Sequence, residues 1–319
     1  MFKIVVILLS YASVNYGIDT PIIGILSEET YIVQHLFPEH YDSYITASYV
    51  KYIESAGGRV VPVWIGQSEE YYRRVINYTN GILFPGGGTY FNETKGYGKA
   101  AKQIYQIALE ANKKGIYYPI WGCCLGMQVL PFAQLGVDIR VDCLLKNTSV
   151  PLNFKKTSSK SRLFSNAPKN ILELLSSQNL TFNEHRYCLT QTVLKKNGIL
   201  NDWQILATNE DVNKLKFISA MESVNYPIYG VQFHPEKNPF EFEKKGVPHS
   251  KEAVDVSLYF ASFFVEESKK NNNTFPSEEL EKKSLIYNYN PRYTGISVKS
   301  PYEQVYIFNR TDFSAAQLL

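Results

Sequence analysis

Apolar residues along the first 136 positions follow two alternating rhythms. Short apolar runs at Ile22 to Leu26, Val60 to Trp64 and Gly81 to Phe84, and one ending over Pro119 to Trp121, read as buried strands. Between them, Tyr44 to Ala56 sets Ile45, Tyr49, Tyr52, Ile53 and Ala56 on one helical face, and Gly57-Gly58 stops the helix. The pattern predicts a second helix over Tyr97 to Lys113 and a third over Leu125 to Leu135, closed by Gly136. Strands alternating with helices in this way specify an α/β domain with a largely parallel sheet.

The middle of the chain changes rhythm. Arg186 to Lys195, Gln204 to Ala207, Lys216 to Met221 and Ile228 to Phe233 read as strands joined by short turns, which predicts antiparallel strands added to the main sheet. Ser250 to Lys269 predicts an amphipathic helix with Val254, Leu258, Ala261 and Val265 inward. The segment after Asn271 is rich in tyrosine and is expected to pack on the domain surface.

Composition narrows the class. With 45% hydrophobic and 20% charged residues, a 319-residue chain can bury a sizeable core. The net charge of +3 is spread without a basic block, which argues against a nucleic-acid partner. Lys3, the apolar run Ile4 to Leu9 and the small and polar residues to Gly17 form a signal-peptide pattern. The expected organisation is therefore a signal peptide over 1–17 and one catalytic domain over 18–319, with a tail from about residue 271. No later stretch supplies the ~18 apolar residues of a membrane-spanning helix. Sequons at Asn77, Asn92, Asn147, Asn179, Asn272 and Asn309 favour the secretory route and predict exposed asparagines there.

The four cysteines, Cys123, Cys124, Cys143 and Cys188, leave their pairing open. A domain of this size does not need a disulfide framework. Adjacent Cys123 and Cys124 match neither a C-x-x-C redox pair nor zinc-ligand spacing.

Candidate chemistry lies at three strand ends. Gly122-Cys123-Cys124-Leu125-Gly126 joins a strand to a helix, and a nucleophile on such a sharp turn needs small neighbours on both sides. Only Cys124 has glycine at both flanking positions two residues away; Cys123 would have Trp121 and Leu125 there. A thiol at a helix N-terminus also meets the positive end of the helix dipole, which favours the reactive thiolate. Gln232-Phe233-His234-Pro235-Glu236 follows an apolar strand, so His234 is a candidate general base oriented by Glu236. Leu83 to Gly88 ends in a glycine run whose N–H groups at Gly86 and Gly87, with that of Leu125, are candidate oxyanion donors. Neither glycine-rich nucleotide motif fits the chain.

In this order, Pro-Gly-Gly, G-x-C-x-G-x-Q ending at Gln128, and His-Pro-Glu resemble the class I glutamine amidotransferase fold. The longer blocks Pro21 to Leu26, Tyr44 to Val63, Asn80 to Gly87, Trp121 to Gly126 and Tyr229 to Lys237 are similar to the gamma-glutamyl hydrolase family, peptidase family C26. So are Pro151 to Phe154 and Asn183-Glu184-His185. The resemblance implies a single three-layer α/β/α domain with a mostly parallel central sheet. It implies hydrolysis of γ-linked glutamates on folyl or antifolate poly-γ-glutamates, in the lysosome or outside the cell, without metal or cofactor. Cys124 would be the nucleophile, His234 the base, Glu236 its support and His185 a second active-site histidine. A homodimer is expected by resemblance only. Gln128 departs from the Glu that some animal members carry there, and Cys123 is unusual beside the nucleophile. Two rivals remain: the glutaminase part of an amidotransferase, and a non-catalytic folate-binding glycoprotein. A polyanionic substrate calls for cations in the cleft, with Lys51, Arg59 and Arg186 as candidates.

Overall fold

The computed structural model describes residues 18–309, so the segment read as a signal peptide lies outside the described residues. In chain order the elements begin β1 (Ile22–Leu26), β2 (Ser43–Thr46), α1 (Ala47–Ser55), β3 (Arg59–Val63), α2 (Glu69–Tyr78), β4 (Gly81–Phe84) and α3 (Tyr97–Lys113). They continue β5 (Ile120–Cys123), α4 (Leu125–Leu135), β6 (Val141–Val150), β7 (Asn153–Phe154), α5 (Lys169–Ser177), β8 (Thr181–Cys188) and α6 (Gln191–Lys196). Last come β9 (Trp203–Glu210), β10 (Lys216–Ser223), β11 (Ile228–Val231), α7 (Lys251–Lys269), α8 (Glu278–Ser284), β12 (Arg292–Tyr293) and β13 (Gln304–Phe308).

The central sheet has eight strands in the order β3-β1-β4-β5-β11-β10-β9-β7. From β3 to β11 every pairing is parallel. From β11 to β7 every pairing is antiparallel, as the change of rhythm in the sequence implied. Helices α2, α3 and α4 pack on one another as one layer, and α1, α7 and α5 as another, giving a three-layer α/β/α fold. Parallel strands covered by helices are apolar throughout, and β1, β4, β5 and β11 are fully buried.

The topology positions the chemistry. Strands β4, β5 and β11 lie side by side and parallel, with Phe84 opposite Gly122 and Val231 opposite Cys123. The segments leaving their C-terminal ends, at Pro85, Cys124 and Gln232, therefore converge on one crevice, where open α/β sheets place ligands.

Four expectations change. Ser43–Thr46 is a strand rather than the start of α1, because it pairs with β13 from the far end of the chain. The strand expected over Arg186 to Lys195 ends at Cys188, and Thr190 caps helix α6 by accepting from Val193 N–H at 3.1 Å. On α7, Val254 and Leu258 are 37% and 42% exposed; the buried stripe runs through Ala253, Val256, Phe260 and Phe264, alongside Ala261 and Val265. The reason is bulk: Trp121 of β5 is in ring contact with Phe260, Phe263 and Phe264, which turns the helix toward its aromatics. Finally, the tail does more than cover the surface. Its β12 and β13 join β2 in a second sheet.

A third sheet pairs β6 with β8, and a disulfide between Cys143 and Cys188 ties the two strands together. Cys123 and Cys124 are free and buried. Five sequon asparagines, Asn77, Asn92, Asn147, Asn179 and Asn272, are exposed as expected; Asn309 is half-buried.

Candidate active site

Cys124 sits between β5 and α4 with φ 50° and ψ −106°. A non-glycine residue in that region costs on the order of 1–3 kcal/mol and persists where surrounding structure enforces it. The flanking glycines do the enforcing. A Cβ at Gly122 would collide with the carbonyl of Gly126, and one at Gly126 with the carbonyl of Phe84. The elbow spacing read from the sequence is thus a packing requirement between β5, α4 and β4. The Cys124 thiol receives an N–H from Gln232 at 3.4 Å and lies 4.0 Å from the Glu184 carbonyl.

His234 is buried beside Cys124, and its Nδ1 is 2.8 Å from Oε1 of Glu236. Burial opposes charge on His234, but Glu236 and Cys124 beside it outweigh burial and raise the imidazole to about 9. Burial likewise resists charge on Glu236, yet His234 next to it holds the carboxyl below its ordinary value. The other carboxylate oxygen accepts from the Cys123 thiol at 3.2 Å. Burial, then Glu236, push that thiol well above its ordinary value. Cys123, His234 and Glu236 bring their donor atoms within 4.8 Å of one another, but mutual hydrogen bonds engage all three.

The glycine run does reach the site, with one correction. The Gly86 N–H donates to the Tyr49 hydroxyl at 2.7 Å, so it is not free for an oxyanion. What Gly86 contributes is space: a Cβ there would lie 2.7 Å from His234 Cε1 and 2.8 Å from the Tyr49 oxygen. The N–H of Leu125, in the first turn of α4, has no acceptor within its helix, and Gly87 lines the cavity. Glu28 is buried under the loop, where it accepts from Gly88 N–H at 3.2 Å and from the Tyr44 hydroxyl. Burial raises its carboxyl to about 8.

Cys124, His234, Leu125 and His185 open into one cavity of about 830 Å³. His185 hydrogen-bonds through Nδ1 to the carbonyl of disulfide-linked Cys143 at 3.0 Å, while its buried Nε2 has no partner. Burial lowers this imidazole to about 4. The cavity wall carries Arg140, Lys146, Arg186, Lys237, Lys244 and Lys299 against Asp138 and Glu184. Of the basic residues expected in the cleft, only Arg186 is there. Lys51 donates to Gln304 at 2.6 Å and Arg59 pairs with Glu281, both away from the site. Gln128 donates to Gln232 Oε1 at 3.1 Å and accepts from Arg140 at 3.4 Å, which links the cationic wall to the nucleophile.

The sequence reading missed Tyr49, Lys237 and Tyr302 as site residues. Tyr49 has the spacing of an ordinary core residue, and Tyr302 belongs to the tail. Lys237 had a visible signal, since it directly follows His-Pro-Glu.

A nucleophile on a strained elbow, a charged imidazole and a carboxylate can perform acyl transfer from an amide. The family model described as Peptidase C26 matches residues 21–236. The chain is 42% identical over 304 residues to gamma-glutamyl hydrolase of Rattus norvegicus, covering 93% of this chain and 92% of that protein. It is 38% identical over 309 residues to gamma-glutamyl hydrolase B of Dictyostelium discoideum, covering 94% and 88%. Among solved structures, PurLQS from Thermotoga maritima aligns with a TM-score of 0.46 at 14% identity, over 77% of this chain and 98% of that one.

Proposed function

The chain belongs to the Peptidase C26 family, and from that premise we propose that it is a cysteine gamma-glutamyl hydrolase cleaving γ-linked glutamates from folate poly-γ-glutamates. The observation that carries the reading is Cys124 on its strained turn beside the His234–Glu236 pair. The Cys124 thiolate attacks the γ-carbonyl carbon, and the negative charge moves to the carbonyl oxygen, near the N–H groups of Leu125 and Gly87. The carbon–nitrogen bond then breaks, and the His234 imidazolium gives its proton to the departing amine. Water attacks the resulting thioester, His234 takes the water's proton, and the free carboxyl leaves Cys124.

The positive cavity wall suits a polyanionic chain. The reading extends to antifolate polyglutamates and to a homodimer, supported by family membership alone. It also places the protein on the secretory route, in the lysosome or outside the cell. Support there comes from the sequons with exposed asparagines and from the Cys143–Cys188 disulfide, a bond at home in oxidising compartments.

Turnover of pteroyl-γ-diglutamate against free glutamine tests the activity. Release of glutamate from the folate, lost in Cys124→Ala, is expected. Turnover of glutamine alone would mean a glutaminase, and turnover of neither by well-folded protein would leave a binding protein.

A further inference from the structure

Lys237 follows Glu236 in the turn that carries the catalytic pair. The turn is closed by its own hydrogen bonds: Lys237 N–H donates to the His234 carbonyl at 3.3 Å, and the Lys237 carbonyl accepts from Phe240 at 3.0 Å and Glu241 at 2.9 Å. The side chain is 4% exposed and lines the catalytic cavity. Its ammonium lies 4.8 Å from the centre of the Tyr302 ring. Among the described residues it makes no hydrogen bond and no ion pair.

The nearby carboxyls hold other groups, although Glu241 keeps its buried Oε1 without a hydrogen-bond partner. Glu28 holds Tyr44 and Gly88, Glu236 holds His234 and Cys123, and Glu241 accepts from Glu303 N–H at 2.7 Å. The other cations of the wall differ from Lys237. Arg140 pairs with Asp138 at 2.7 Å and Lys244 with Glu184 at 3.7 Å, while Lys146, Arg186 and Lys299 are exposed. The buried carboxyls of Glu28, Glu236 and Glu241 feel its charge, but none closes an ion pair with it. A buried ammonium with no acceptor of its own in a reaction cavity points to an anionic ligand.

We propose that Lys237, walled by Tyr302, anchors the α-carboxylate of the glutamate whose γ-carbonyl carbon Cys124 attacks. The inference rests on the hydrolase reading above and deepens it to a rule for linkage. In a γ-linked glutamate the α-carboxylate is free and lies two methylenes and one α-carbon from the scissile carbonyl. In an α-linked residue that carboxyl is consumed in the peptide bond, and Lys237 would face a neutral amide. A cation three residues beyond the catalytic histidine thus separates the two linkages by charge, and the aromatic wall keeps the contact away from water.

The test uses the full chain and pteroyl-γ-diglutamate, beside the same compound with the α-carboxylate of its acyl-donating glutamate converted to a carboxamide. Lys237→Met should lower kcat/KM on the carboxylate substrate by about 10- to 100-fold, the scale of a lost charge-assisted contact. On the carboxamide, wild type and Lys237→Met should be equal, and Lys237→Arg should recover part of the loss on the carboxylate. Equal loss on both substrates, or a Lys237→Met enzyme within twofold of wild type on the carboxylate, would overturn the proposal. If wild type turns over neither compound, the hydrolase reading falls first. Calorimetry of γ-glutamylglutamate on Cys124→Ala, with and without Lys237→Met, then decides the anchor: tenfold weaker binding supports it and equal affinity overturns it.

Discussion

The Cys123 thiol donates to Glu236 at 3.2 Å, so the residue beside the nucleophile touches the carboxylate that orients the base. The two adjacent cysteines therefore face opposite ways. Cys124 opens to the cavity, while Cys123 points inward to the Phe233 carbonyl and Glu236.

Replacing each cysteine should separate these roles. Cys124→Ala is expected to abolish hydrolysis while leaving the melting temperature near that of wild type. Cys123→Ala removes a thiol that reaches the Phe233 carbonyl and Glu236 but faces away from the cavity, so activity should fall by no more than about tenfold. Steady-state rates of both variants check this, and a Cys123→Ala enzyme as inactive as Cys124→Ala would reverse the choice of nucleophile.

His234 should set the alkaline side of the pH profile. Its imidazole, raised to about 9 by Glu236 and Cys124 against the pull of burial, loses its proton there, and with it the proton donor for the leaving amine. Glu236→Gln removes one of the raising charges, so the alkaline limb of kcat/KM should move to lower pH, with a smaller rate loss than His234→Ala. His234→Ala should cost at least ~10²-fold at every pH. An unmoved limb in Glu236→Gln would take Glu236 out of the catalytic unit.

The two site histidines should act oppositely on stability. His185 is held near 4 by burial, below its unfolded value of about 6.5. Its contribution is present above the unfolded value and is lost as pH falls from there toward 4, where the unfolded chain binds the extra proton. His234, raised to about 9, contributes fully below about 6.5 and loses that contribution as pH rises to 9. Melting curves of His185→Asn should be flatter than wild type between pH 4 and 6.5. The same slope in both proteins would show that His185 does not titrate in that window.

Protein from its native source should begin near Ile18 and carry N-glycans at several of the sequons. The five exposed asparagines are better acceptors than half-buried Asn309. An endoglycosidase shift on gels checks this, and an unshifted band with Met1 intact would remove the secretory reading.

Much of the site was legible because it is local. Gly122 and Gly126 bracket Cys124 within five residues, and Gly136 ends α4 with φ 76°, a conformation glycine adopts freely. The residues that escaped depend on distant partners. Ser43–Thr46 became a strand only through β13, and Tyr49 looked like any core tyrosine until Gly86 met its hydroxyl. Helix α2 is a different omission. Ser68 caps it by accepting from Tyr71 N–H at 3.3 Å, and Tyr71, Tyr72, Val75 and Ile76 form its buried side, both local signals that the sequence carries.

The pairing of β13 with β2 also puts the enzyme on a clock. A chain emerging from the ribosome has its nucleophile, its histidine and its whole parallel sheet well before residues 299–302 exist. Lys299, Pro301 and Tyr302, which wall the cavity, can take their places only when the strand after them docks on β2. That side of the cavity therefore closes last, and a chain ending after α7 would hold the thiol in a vessel with one side missing.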